Sequence, residues 1–444
     1  MKLLFTLLGF ALALFPSLPL RAQSATDASL VAEINQIKAI DNHAHPMRVT
    51  AAGEKPDDEF DALSLDVIEP FSAPVRFRSD NPEYRAAWKL FYGYAHQDAS
   101  ESHVRELMQT KQRVQRERGD GFPAWVLDQL NIETMFANRI AMGRGLTAPR
   151  FLWVPFVDAL IFPLNNEGAR RSNPDYRAFF PNEERLLKRY MTERGLTALP
   201  GNLSHYLRKL VTPTLEQQRR DGAVAIKFEA AYLRKLDFDE ASETDAGQVY
   251  AQYIGGAEPS AADYKTLQDF LFRYVAKEAG RLGLAVHIHC IDGAGGYYRM
   301  TGSNPLLLES VFNDPSLRKT SFVLVHGGYP FTRQTASLMQ KPNAYADFSA
   351  QTFILYPRAL SEILRSWLEW YPEKILFGTD AFIVSPEVDW PELAWLSNAT
   401  GRQALAIALT GMMNDGEITR TRAVELARMV LRENAIKLYQ LPSK

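Results

Sequence analysis

The chain of 444 residues is 46% hydrophobic, too long for one minimal domain and well supplied for a large core, which suits a single barrel carrying insertions. Its 50 basic and 52 acidic residues leave a formal net charge of -2, so nothing favours nucleic acid or an anionic membrane surface as a partner. The basic run 111–120 alternates with polar residues and reads as a solvated helix face.

Residues 1–22 have the make-up of a secretory signal peptide: Lys2, then a short apolar stretch, then a small residue, Ala22, before Gln23. Cleavage there would leave 23–444 without an integral membrane span, in the periplasm or secreted. The single cysteine, Cys290, has no intramolecular partner and stands inside an apolar strand, as a buried small residue would.

A helical segment around 25–38 leads into the first predicted strand, which ends in His43-Ala44-His45. Residues 47–130 hold aromatic and charged material at helical spacing and no clear buried strand, so they are expected as a helical insertion after strand one. Residues 132–140 and 151–161 are the expected strands two and three, and 162–210 a second helical insertion after strand three. Strand four is expected to end at Lys227, and the amphipathic segment 264–283 as a helix before strand five, which ends at His289. A cap at Ser303-Asn304-Pro305 opens the next helix. Strands six, seven and eight follow at FVLVH, AYADFSA and KILFGTD, with helices from Trp390 onward. Eight strands alternating with helices predict an α/β fold, a (β/α)8 TIM barrel with helical insertions after strands 1 and 3.

Apolar runs that end in His43, His45, Lys227, His289, His326 and Asp380 look like barrel strands entering active-site loops. His43 and His45, two apart on a strand, point to one face and can bind one metal ion. Asp41 is either an outer partner that orients an imidazole or a turn residue. Of the two histidines of strand five, His289 lies nearer the mouth and is the expected ligand; His287 is expected one layer down, buried and hydrogen-bonded. Gly327 and Gly328 after His326 would let a loop pass close to bound substrate. Asp380 can hold the metal, take a proton from bound water and return it to the leaving group. His96, His103 and His205 fall in the helical insertions as surface residues.

The order HxH, Lys, His, His, Asp resembles the amidohydrolase superfamily. The stretches IKFEAAY, VHIHCIDG followed by GSNP, VHGGYPF and AYADFSA resemble its amidohydrolase-2 (amidohydrolase-related) branch, above all the nodulin-like domains linked to glutamine synthetase. The likeness spans roughly 38–46 and 222–385 and does not extend to the insertions. It implies a divalent metal cofactor, zinc foremost and one or two ions, held by His43, His45, His289 and Asp380, with His326 as a further ligand or a substrate-polarising group. It leaves Lys227 two roles, a carboxylated bridge between two metals or a cation that meets the substrate beside one metal, and Glu229 on the same face could keep the ammonium charged.

These readings predict an exported metal-dependent hydrolase that turns metal-activated water on an amide, lactone or ester bond of a small molecule, with Asp380, His326 and Lys227 as catalytic residues. Tyr232, Arg299, Tyr329 and Arg358 lie just after strand ends and are candidate substrate contacts. An alternative on the same site is a metal-dependent non-oxidative decarboxylase of a small aromatic or unsaturated acid. Another is a non-catalytic periplasmic binding protein on the same barrel, against which the retention of every ligand type argues. A homo-oligomer is compatible with all three.

Overall fold

A computed structural model describes residues 26–51, 53–63 and 72–442. The expected signal segment 1–22 lies outside them. Eight short strands are present: β1 (Ala39–Ala44), β2 (Ile132–Asn138), β3 (Phe151–Val154), β4 (Ala225–Phe228), β5 (Ala285–His289), β6 (Phe322–Val325), β7 (Ala344–Asp347) and β8 (Ile375–Leu376). Neighbours pair in parallel, in the order β1-β2-β3 and β4-β5-β6-β7-β8. Backbone hydrogen bonds bridge the two seams. Between β3 and β4, Val224 N–H donates to Trp153 O at 3.0 Å and Lys227 N–H to Pro155 O at 2.8 Å. Between β8 and β1, Asn42 N–H donates to Phe377 O at 2.8 Å and Asp380 N–H to His43 O at 2.7 Å. The strands thus form an α/β barrel of the TIM type.

A packed layer within the ring takes a side chain from every strand: Ile40, Phe136, Val154, Ala225, Ala285, Val323, Tyr345 and Leu376. Helix Asn434–Tyr439 packs against that layer through Ala435, Ile436, Leu438 and Tyr439. The small side chains of Ala225 and Ala285 make room for it. His287, on β5, is buried, and its ring reaches the Tyr439 hydroxyl at 2.7 Å.

Helix α1 (Ala28–Gln36), capped by the Asp27 carboxylate, leads into β1. Between β1 and β2 stand α2 (Tyr84–Tyr92), α3 (Glu101–Arg118) and α4 (Phe122–Gln129). Trp88, Phe91, Phe122 and Val126 are buried from this group. The basic run on α3 departs from a wholly solvated face, since Lys111 is buried and its Nζ lies 2.7 Å from Glu392 of the helix Trp390–Asn414. β3 is shorter than 151–161, for Pro155 has no N–H to continue the ladder and a single 3-10 turn, Asp158–Ile161, takes over. Between β3 and β4 come α5 (Glu167–Ser172), α6 (Phe179–Glu193) and further helix over 203–220. The cap residue before helix 305–308 is Asn304, whose side chain accepts from Leu306 N–H, with Pro305 in the first turn. Among the described residues no helix is long and apolar enough to cross a membrane.

Candidate metal centre and its cavity

The residues that end β1, β4, β5, β6 and β8 meet at one mouth of the barrel, the C-terminal one. Asp380 is central. Its Oδ1 lies 3.1 Å from His43 Nε2 and 3.5 Å from His45 Nε2, and its Oδ2 lies 3.7 Å from His326 Nδ1. His43, His326 and Asp380 each offer a ligand atom, all within 4.8 Å of one another. His289 joins through His326, with Nδ1 and Nε2 3.1 Å apart. Lys227 Nζ lies 3.2 Å from His43 Nε2 and 3.6 Å from Glu229 Oε1, wholly buried.

Two of these residues occupy backbone conformations that side chains rarely adopt: His326 has φ 68° and Asp380 φ 54°. Fixed hydrogen bonds hold both there, from Asp380 N–H to the His43 carbonyl and from His326 N–H to Asp347 Oδ1 at 2.8 Å. A strained turn so fixed aims the side chain back over the barrel mouth. Gly327 and Gly328 serve this turn rather than substrate approach. A β-carbon at Gly327 would stand 2.2 Å from the Trp367 ring, and one at Gly328 2.4 Å from Thr335 Oγ1.

Hydrogen bonds behind the cluster set the imidazole tautomers. Ser349 Oγ donates to Asp347 Oδ1 and therefore accepts from His326 Nδ1–H at 2.9 Å. His326 Nε2 is then left to accept from His289 Nδ1–H, and His289 Nε2 carries its lone pair with no hydrogen-bond partner although buried. A second device serves His43, whose Nδ1 lies 2.8 Å from the Asn138 side-chain amide. The same amide nitrogen donates to Ala44 O at 3.3 Å, so Asn138 fastens the His43 ring to the end of its own strand. Asp41 touches no imidazole: its carboxylate accepts from Thr379 N–H at 2.9 Å and from His43 N–H at 3.2 Å, so it fastens β1 to the segment after β8.

Burial depresses the proton affinity of His43, His289 and His326 and holds His45 down to about 3, with Lys227 adding repulsion. Burial pushes Asp380 up to about 8, which Lys227 opposes. Neutral imidazoles, one carboxylate and an unpartnered ring nitrogen together fit a divalent cation of the kind that takes nitrogen and oxygen ligands.

The cluster lies on the wall of a cavity of about 660 Å³ that also takes in Asp61, Glu229, Tyr232, Asp292 and Tyr329. The Tyr232 ring lies tilted against that of His289, with centroids 4.2 Å apart. Arg299 and Arg358 are not on this wall, which corrects their assignment as substrate contacts. Arg299 is exposed at the foot of the loop after β5, and Arg358 is held as an ion pair with Glu362 along the helix Pro357–Trp370. Cys290 is buried and donates to Ser303 O, away from the chemistry.

Residues 226–441 match the family model described as Amidohydrolase. The barrel is similar to solved structures at low identity. A protein of Lactobacillus casei assigned as a metal-dependent hydrolase gives a TM-score of 0.60 at 15% identity, over 93% of this chain and 97% of that one. The match covers just under half of the chain, the part from β4 to the last helix, and over those residues the chain is similar to amidohydrolases. That match supports a metal-dependent, amidohydrolase-like enzyme. Glucuronate isomerase from Caulobacter crescentus shares the fold with a TM-score of 0.59, at 15% identity over 94% of each chain. Protein fluG of Emericella nidulans is 32% identical over 230 residues, which are 49% of this chain but only 26% of that protein.

Several residues around this centre carry no clear mark in the sequence. Asp347 and Ser349 end β7 as the ligands end their strands, and that position was their only signal. Asn138 at the end of β2 had the same faint mark. Phe77, Phe353 and Phe382, which line the same cavity, come from three separate segments with no pattern joining them.

Proposed function

We propose that the chain is a zinc-dependent hydrolase of an amide, lactone or ester bond in a small molecule. The observation that carries this reading is Asp380, with one oxygen facing the His43 and His45 imidazoles and the other facing His326. An ion held by His43, His45 and Asp380, with His289 beside them, would acidify water and polarise a carbonyl. Asp380, whose proton affinity burial raises, accepts the proton of the attacking water and returns it to the leaving group. The Ser349–Asp347 pair keeps His326 Nδ1 protonated, so Nε2, 3.1 Å from His289 Nδ1, is the nitrogen that carries the lone pair. In this reading Lys227 is an unmodified lysine, with Glu229 Oε1 3.6 Å from its Nζ.

One observation favours a second reading, non-oxidative decarboxylation: among the described residues lining the cavity, Lys227 is the only lysine or arginine, and it could grip a carboxylate. Elemental analysis of protein purified without chelators separates the architectures. One ion per chain, retained in Lys227→Ala, supports the unmodified lysine. Two ions in wild type falling to one or none in the variant would establish a carboxylated bridge instead. Assay of amide, lactone and ester panels against aromatic acids then decides the reaction.

We further propose export to the periplasm or beyond, on the strength of the charged start and apolar stretch of 1–22. N-terminal sequencing of the protein made in a secreting host should begin at Gln23; an intact Met1 would overturn it.

A further inference from the structure

The cavity has two unlike walls. One carries the histidines, Asp380, Lys227 and Glu229; the other is built from Phe77, Phe353 and Phe382 with Leu63 and Ile354. The three phenylalanine rings pack on one another, with centroids 5.5 Å (Phe77–Phe353), 5.7 Å (Phe77–Phe382) and 6.0 Å (Phe353–Phe382) apart. Phe382 also stands 6.4 Å from the His45 ring, so the aromatic wall begins where the ligands end.

The wall is held in place. Arg76, almost fully buried beside Phe77, donates to the carbonyls of Thr352 (3.2 Å) and Leu355 on either side of Phe353 and its neighbour Ile354. It also donates to Thr400 Oγ1 at 2.8 Å and pairs with Glu83 at 2.7 Å. One guanidinium therefore ties the segment before α2 to the loop after β7. Nearby, Val75, Met300 and Tyr356 remain exposed, so the apolar character continues outward. Phe77 and Phe382, together with Asp61, also line a neighbouring cavity of about 860 Å³, and they form the partition between the two.

We infer that the aromatic wall is a specificity pocket, and that the substrate carries an aromatic or comparably flat apolar group next to the reacting bond. A polyhydroxylated or polyanionic molecule would leave its polar groups facing phenyl rings, at the cost of unmade hydrogen bonds. A phenyl group there loses water on both faces and gains edge and face contacts to three rings. The inference rests on this cavity being the substrate site and is independent of which bond is broken.

Binding measured by calorimetry on the full chain, both zinc-loaded and chelator-stripped, tests it apart from turnover. N-acetyl-L-phenylalaninamide should bind about tenfold or more tightly than N-acetyl-L-alaninamide, in both metal states. D-glucuronate should not compete with it. Phe353→Leu, which keeps bulk but not the ring, should weaken the aromatic probe about 3- to 10-fold. Phe382→Ala should open the partition and admit the naphthylalanine analogue, a gain of binding that loss of folding cannot produce. Equal binding of the alanine and phenylalanine probes, or displacement by glucuronate, would overturn the pocket even if zinc and hydrolysis are found. Aromatic preference in a protein that binds no metal would leave the pocket standing and remove the hydrolase reading.

Discussion

At the scale of single residues, the tautomer relay behind the ligands decides whether the imidazoles can hold a cation. Asn138→Leu removes the amide that orients His43 and should weaken metal binding by about 10- to 100-fold with the fold intact. Competition against a chelator of known affinity measures it; unchanged affinity would remove Asn138 from this role. Asp380→Asn keeps size and loses the proton carrier, so turnover should fall about 100-fold or more on any substrate found. The cluster at the mouth was legible because histidine and aspartate are uncommon at strand ends and each closes an apolar run. Asn138 and Ser349 were not, since asparagine and serine occupy turns everywhere and only their distance to an imidazole gives them meaning. Arg299 and Arg358 show the converse, for a loop position after a strand does not fix which way a long side chain points.

The elements explain why the substrate wall was hidden. Phe77, Phe353 and Phe382 belong to the segment before α2, the loop after β7 and the loop after β8, and only the closed ring brings these together. Helix periodicity found the elements, because it reports a buried face, but it cannot report which two elements share a cavity. Arg76 makes that sharing rigid. Arg76→Met should lower stability by about 2–4 kcal/mol, discounted for the partial exposure of Glu83, as two backbone carbonyls and Thr400 lose their donor. Denaturant unfolding checks the figure; a loss below about 0.5 kcal/mol would mean that the tether carries little.

For the whole molecule, buried charge couples the centre to stability. Burial raises Asp380 to about 8 and Asp41 and Asp158 to about 7, so these carboxyls keep protons in the fold that the unfolded chain has already lost. Stability from them is present at low pH and is lost as pH rises through the folded values. The buried histidines act in the opposite sense, with folded values below the unfolded value of about 6.5, and their effect is complete only above about pH 7.5. From about pH 7.5 to about 8.5 the carboxyls act unopposed by the histidines. The thermal midpoint of chelator-treated protein should therefore fall over that interval, and zinc, by neutralising Asp380, should flatten the fall. A metal-free midpoint that holds or climbs would contradict this.

The helix Asn434–Tyr439 that fills the foot of the barrel has one more consequence. The Tyr439 hydroxyl accepts from His287 and donates to Asn42, a partner 397 positions earlier, and Asn42 donates to the same Asp347 that anchors His326. The hydrogen-bonded support of the metal ligands therefore joins the first strand to the last helix. A growing chain cannot assemble it, because its closing member is synthesised at the far end. Until that helix arrives the apolar layer at the foot of the ring stays open to water and the Asn42–Asp347 link lacks its outer partner, a state suited to chaperone capture and unsuited to selective metal uptake. Maturation then has an order, ring first, stopper second, cation last, and Tyr439→Phe should slow the final step in refolding followed by zinc uptake more than it slows recovery of helical signal.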